Sequence, residues 1–197
     1  MRALDVEVSD SANRKSFQQE MKTRMAVVKM PGMANGIAIY GGKNNAVKSN
    51  LIADTIDNGS GISFGTNFNP PSITGTLDIS GNKLLRTGSY HHEYAYNIGA
   101  IWEYWVSSTG KIASPTITLN NNLIQDSTYS AVFIEETSTG ASVTHTGTQI
   151  VNTGTYGVEI RSTAVGAATF NSTSVSGVPQ AHLQNNSSSF TVTGTIP

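Results

Sequence analysis

Cysteine is absent from the 197 residues, which removes disulfide frameworks and thiolate metal sites and leaves the cellular compartment open. Charge is scarce as well. Asp, Glu, Lys and Arg make up 13% of the chain, against roughly 25% in an ordinary soluble domain. The formal net charge is −1 and no basic stripe is present, so neither nucleic acid nor an anionic membrane surface is expected as a partner. No stretch approaches the roughly 18 apolar residues of a membrane span. The opening run from Met1 to Lys15 carries acids where a secretory leader has its apolar segment, and it reads as no signal peptide. Disorder is a poor reading, because apolar residues form 38% of the chain and recur at regular places.

Gly, Ser, Thr and Asn fill the gap left by charge, and they are ordered in repeats. Similar lines open at Gly36-Ile37, Gly61-Ile62, Ala100-Ile101, Ala131-Val132, Gly157-Val158 and Ala181-His182. Several steps lie near 25 residues, a period that signals a solenoid in which each coil covers the apolar face of the next. The two long steps contain insertions, residues 66–71 with 89–94 in the first and 107–111 in the second. A second motif recurs within each line. Asn50-Leu51-Ile52-Ala53-Asp54-Thr55 matches Asn82-Lys83-Leu84-Leu85-Arg86-Thr87 and Asn122-Leu123-Ile124-Gln125-Asp126-Ser127, with Thr148 to Thr153 as a looser copy. Apolar and polar residues alternate in these segments, as in strands with one face inward. Turns follow at Asn, Asp, Ser or Gly, which tolerate left-handed backbone. Several strands per coil with no helix between them predict an all-β fold, a single-stranded right-handed parallel β-helix over residues 31–197. Asn50, Asn82 and Asn122 read as a stacking ladder.

Residues 1–30 are of another kind. They hold half of the 12 basic residues and no Gly or Pro. Phe17, Met21, Met25 and Val28 form a one-sided helical stripe. Two readings stand: a capping helix over an open strand edge, or a segment foreign to the fold because the gene start lies inside a longer frame.

Stacking the coils on their opening residues turns Ile37, Ile62, Ile101, Val132 and Val158 inward. Ala38, Ser63, Trp102, Phe133 and Glu159 then face outward, as do Tyr40, Gly65, Tyr104, Glu135 and Arg161. Neighbouring strands lie about 4.8 Å apart, so Glu135 and Glu159 are candidates for a catalytic carboxylate pair; a solvated surface pair beside Arg161 is the alternative. Glu103 falls at an inward position. It is either a tuned acid or is turned outward by a bulge, and the long insertion before it favours the bulge. His145 and His182 read as ordinary strand or turn residues. Tyr40, His91, His92, Tyr94, Trp102 and Tyr104 are candidates for binding sugar, whose apolar faces suit amphipathic rings; the same rings can instead pack the insertion onto the helix flank. His91-His92-Glu93 is no credible metal site, since adjacent residues rarely converge on one ion. No metal and no cofactor are expected.

The run Asn35-Gly36-Ile37-Ala38-Ile39-Tyr40-Gly41-Gly42 resembles the catalytic β-helix of glycoside hydrolase family 87, the α-1,3-glucanases also called mutanases or mycodextranases. The resemblance continues through Leu51 to Thr55, Gly59 to Ile62, Asn67-Phe68-Asn69, Leu85 to Gly88 and Gly99 to Trp102. It ends in Gln125 to Tyr129 and Gly154 to Ile160, so that it covers about residues 31–180. It implies a pectate-lyase-like solenoid, extracellular action, an α-glucan partner and a monomer. In that family the catalytic carboxylates are aspartates on coils preceding the NGIAIYGG run, including an adjacent pair. Here Leu4-Asp5 falls about where the pair would stand, with unlike flanks, and no catalytic role carries over to Asp5. The resemblance thus implies the C-terminal part of such a domain, truncated or catalytically incomplete. A carbohydrate-binding or structural module of tailspike or adhesin type is the alternative. A polysaccharide lyase has only outward Arg161 in its favour.

Overall fold

The computed structural model describes residues 27–29, 35–55, 59–65, 73–91, 96–104, 115–136 and 142–197. The capping-helix reading of the N-terminal segment lies largely outside these residues. Its end does not: Val27–Lys29 is a strand paired in parallel with Leu51–Ala53, ahead of the boundary expected at residue 31.

Three parallel sheets of six strands each form the body, and the chain visits them in rotation. Sheet 1 holds Val27–Lys29, Leu51–Ala53, Lys83–Leu85, Leu123–Ser127, Gln149–Thr153 and Ser174–Ser176. Sheet 2 holds Ile37–Ile39, Ile62–Phe64, Ile101–Tyr104, Val132–Glu136, Val158–Ile160 and Leu183–Asn185. Sheet 3 holds Gly42–Lys48, Ile73–Ser80, Thr116–Asn120, Ser142–Thr146, Gly166–Asn171 and Phe190–Gly194. Each strand bonds to its counterpart one coil away, as expected of a parallel β-helix. The expected stack of Ile37, Ile62, Ile101, Val132 and Val158 is the observed register of sheet 2.

The lumen is filled from all three sides. Ile52, Leu84, Ile124 and Ile150 enter from sheet 1, and Leu77, Ile117, Val143 and Ala168 from sheet 3, all within one apolar cluster with the inward residues of sheet 2. Burying each large side chain contributes about 1.5–3 kcal/mol. The small residues that open each line have a packing reason. A Cβ on Gly36 would lie 2.4 Å from the Ile52 side chain, and one on Gly61 would lie 2.5 Å from Leu84.

Left-handed residues bound sheet 1 on both sides. Ser49, Asn121 and Ser172 precede its strands, Asp54 and Arg86 follow theirs, and Asp126 and Asn152 stand one residue before the end of theirs, all with φ between 51 and 59°. Arg86 is the residue of this set least suited to that backbone, and its guanidinium forks onto Asp54 with bonds of 2.6 and 3.0 Å. Hydrogen bonding to Asp54, and then the charge of Asp54, raise the pKa of Arg86 above its ordinary value.

At the first corner the Asn ladder forms as read. Asn82 accepts from the Asn50 backbone N–H and side-chain amide at 3.0 and 2.9 Å. It donates to the Val47 carbonyl at 2.9 Å and to Asn122 Oδ1 at 3.0 Å. Thr148 and Thr173 take the same place in the next coils, and neither hydroxyl has a hydrogen-bond partner. Asn82 is fully buried, so removing its amide strands donors and an acceptor that water cannot reach. Asn82→Ala is therefore expected to lower unfolding free energy by about 3 kcal/mol, read from urea unfolding. A loss no larger than that of Thr148→Ala would show that the ladder is not what holds this corner.

Candidate functional site

Strand alternation sends Ile101 and Glu103 into the lumen and Trp102 and Tyr104 out of it, yet all four are buried. The cover is the antiparallel hairpin of Ser89–His91 with Tyr96–Ile98, formed by the insertion. Ile98 of that hairpin packs with Trp102, Tyr104 and Phe133 in a second apolar cluster outside the lumen. Trp102 is therefore part of this outer core and not an open platform. Its ring lies 4.5 Å from that of Tyr104. Ser63 and Phe133, expected outward, are likewise buried.

Tyr40 is the exposed ring among the described candidates, with 48% of its surface accessible. It meets Tyr104 edge to face at 6.1 Å, with planes inclined by 64°. Gly65 belongs to the coil between them, its N–H bonded to the Ile39 carbonyl, and it leaves the gap through which the two rings approach. A Cβ there would sit 1.3 Å from the Tyr104 carbonyl oxygen. Tyr90 on the hairpin is also exposed. His91 lies in the hairpin strand; His92 and Tyr94 lie outside the described residues.

Glu135 and Glu159 stand on adjacent coils but not opposite each other. Glu159 is in register with Phe133, which places its backbone about 8 Å from that of Glu135 by strand geometry. The Glu135 side chain is 19% exposed and accepts from Arg161 at 2.6 Å. Its other oxygen accepts from the Trp102 indole N–H at 3.0 Å. Such a doubly bonded carboxylate suits a fixed anion better than a proton donor. Glu159 accepts from the Ser130 hydroxyl at 2.5 Å, and Ser130 lies 3.0 Å from the Thr155 hydroxyl. With its single proton given to Glu159, Ser130 accepts from Thr155. This short relay was not found in the sequence, because Ser130 and Thr155 belong to turns that differ from coil to coil.

Glu103 corrects the expectation of an outward turn. A register shift does occur in this strand, between Glu103 and Tyr104, so that Tyr104 pairs with Glu136 and not Glu135. It comes one residue too late to free Glu103, which stays in line with Phe64 and Ile134 and is 1% exposed. Its Oε1 lies 2.7 Å from Nε2 of His145. His145, expected to be an ordinary strand or turn residue, is 0% exposed and is the partner that makes burial of Glu103 tolerable. Alternation within Ser142–Thr146 was the available signal: with Val143 inward, His145 must be inward too. Among the described residues no group of three or more His, Asp or Glu stands together to hold a metal ion.

Comparison with solved structures places this architecture. The catalytic unit of a thermostable GH87 α-1,3-glucanase from Streptomyces thermodiastaticus matches with 34% identity and a TM-score of 0.70 over 82% of this chain and 31% of that one. The catalytic domain of a GH87 α-1,3-glucanase in complex with nigerose matches at 22% identity and a TM-score of 0.64, over 82% of this chain and 33% of that one. An aspartate-to-alanine variant of such a domain in complex with tetrasaccharides matches at 22% identity and a TM-score of 0.68, over 82% and 32%. The chain thus spans about a third of the length of the catalytic units it matches, and it is GH87-like over that span. No family model and none of the curated proteins matches the sequence.

Trp102→Phe keeps most of the ring area while deleting the donor to Glu135. The expected loss is about 1–2 kcal/mol in urea unfolding, and the same substitution in an Arg161→Met background is expected to lose more, because Glu135 then loses the Arg161 bond as well as the indole bond. Stability unchanged in both backgrounds would remove the indole–carboxylate bond from the account.

Proposed function

We propose that this GH87-like β-helix binds α-1,3-glucan along the outer face of sheet 2, outside the cell, and that its described coils hold polymer without cleaving it. The observation that carries the reading is exposed Tyr40 on that face, backed by buried Tyr104 across Gly65, together with the part-exposed carboxylates of Glu135, held from beneath by Trp102, and Glu159. Tyr40 offers an apolar face with a polar edge, the shape that suits a sugar ring. Support for α-1,3-glucan as the ligand comes from the similarity to the GH87 catalytic domains, one of them in complex with nigerose.

Support for binding without cleavage comes from the carboxylates. Glycoside hydrolysis uses one carboxyl to give a proton and another to act as base or nucleophile. Glu135 is held by Arg161 and Trp102, and Glu159 by Ser130. For Glu135 to serve as the acid, an oxygen that accepts from Arg161 or Trp102 must first be freed, and Glu159 has Phe133, not a second carboxyl, opposite it.

Incubation with insoluble α-1,3-glucan, with protein in the pellet and reducing sugar in the supernatant both measured, tests the reading. Retention on the polymer with no sugar released is expected. Tyr40→Ala should weaken retention about tenfold, the equivalent of 1.4 kcal/mol for one stacked ring. Release that Glu159→Gln abolishes would mean that these coils carry a working site. Absence of retention would leave a structural solenoid.

A further inference from the structure

Glu103 and His145 are the carboxyl and the imidazole among the buried described residues, and the proposed glucan face uses neither. They reach each other from different sheets, Glu103 from Ile101–Tyr104 and His145 from Ser142–Thr146 of the following coil. Phe170 covers the imidazole, stacked at 4.4 Å and 15°. Beyond their mutual bond, Glu103 Oε2 and His145 Nδ1 have no hydrogen-bond partner.

The surroundings make this pair sensitive to protons. Its inward neighbours Phe64, Ile134, Leu119 and Phe170 are hydrocarbon. Charged groups on the strands packed around it are Asp78, Lys83, Asp126, Glu135, Glu136 and Glu159; those whose side chains are described are half-buried or exposed, and none of them lies in the lumen. No other described charge can compensate a change of charge inside. With one proton shared between them, as imidazolium with carboxylate or imidazole with carboxylic acid, the pair would be neutral overall. Adding a proton leaves a buried cation without a counter-charge, and removing one leaves a buried anion. Either is costly in such a medium.

The pair is also connected to the outside. Glu103 lies between Trp102 and Tyr104, whose rings project outward, and the register shift falls at Glu103 and Tyr104. Glu103 shares its strand with both rings, so a displacement of the Glu103 backbone is carried to them.

We propose that the Glu103–His145 pair is a pH-sensitive latch inside the solenoid, which holds Trp102 and Tyr104 in place while neutral and releases them when acid adds a second proton. Its effect on glucan rests on the reading of the outer face given above; the latch itself does not.

In a Trp105→Phe background Trp102 is the sole tryptophan of the chain. Its emission is expected to shift as pH is lowered, before far-ultraviolet circular dichroism changes. Glu135→Gln should keep this shift, although Glu135 touches the indole. The double substitution Glu103→Leu with His145→Leu should abolish it. A shift missing from the parent, retained in the double variant or lost in Glu135→Gln overturns the latch. Should the double variant fail to fold, histidine-selective NMR decides: the His145 ring signal must move at the tryptophan midpoint in the parent, and that coincidence must be lost in Glu103→Gln. A ring signal that stays still through the transition, or moves with it in both proteins, equally overturns the proposal. Retention on α-1,3-glucan should fall at the same midpoint. If no retention exists at any pH while the optical shift persists, the glucan reading fails and the latch stands.

Discussion

Backbone hydrogen bonds between successive coils hold the strands about 4.8 Å apart, and nearly every other feature follows from that repeat. Ile37 donates to Gly61, Ile101 to Ala131 and Val132 to Gly157, all at 2.9 to 3.0 Å. Because the bonds run from coil to coil, each side chain stands directly over its counterpart. Like residues therefore meet like: isoleucine on isoleucine in the lumen, asparagine on asparagine at the first corner. A stack of amides bonds to itself without limit, which is how Asn50, Asn82 and Asn122 are buried at no electrostatic penalty. The same geometry is unforgiving of an inward ionisable group, whose neighbours above and below are hydrocarbon. Glu103 survives in the lumen because the next coil brings His145 to it from another sheet.

Insertions leave the stack where it demands least, at corners between sheets. The longest described one returns as the hairpin of Ser89–His91 and Tyr96–Ile98. By lying over the outside of sheet 2 it makes a second apolar cluster with Trp102, Tyr104 and Phe133. Area that would otherwise face water is removed from it, and the coil gains stability at the expense of open aromatic surface. Tyr40, beyond the reach of that cover, keeps its exposure. Gly65 then decides how closely the open and covered rings meet, since no side chain fits beneath the Tyr104 carbonyl.

The likeness to GH87 catalytic domains concerns about a third of their length, and within that third the carboxylates are committed to other partners. Arg161 and Trp102 occupy Glu135, and the hydroxyl relay of Ser130 and Thr155 occupies Glu159. A face built in this way is rigid. Chemistry would ask the same groups to exchange protons freely, and rigid bonding works against that.

Periodicity alone determined the β-helix, the inward isoleucine and valine ranks, the Asn ladder and the turns at left-handed residues, because each depends on residues near in sequence repeating at the coil period. Alternation also placed Glu103 inward. What a single strand could not convey was what lies across from it. Whether Glu103 stays in the lumen depended on His145, four strands further along the chain and in another sheet. Whether Trp102 is open or covered depended on how an insertion without periodic signal folds back. Whether Glu135 turns toward Glu159 depended on the pairing of Glu159 with Phe133 and on the competing attraction of Arg161. These are contacts between segments whose separation carries no repeat, and only the tertiary structure brings them together.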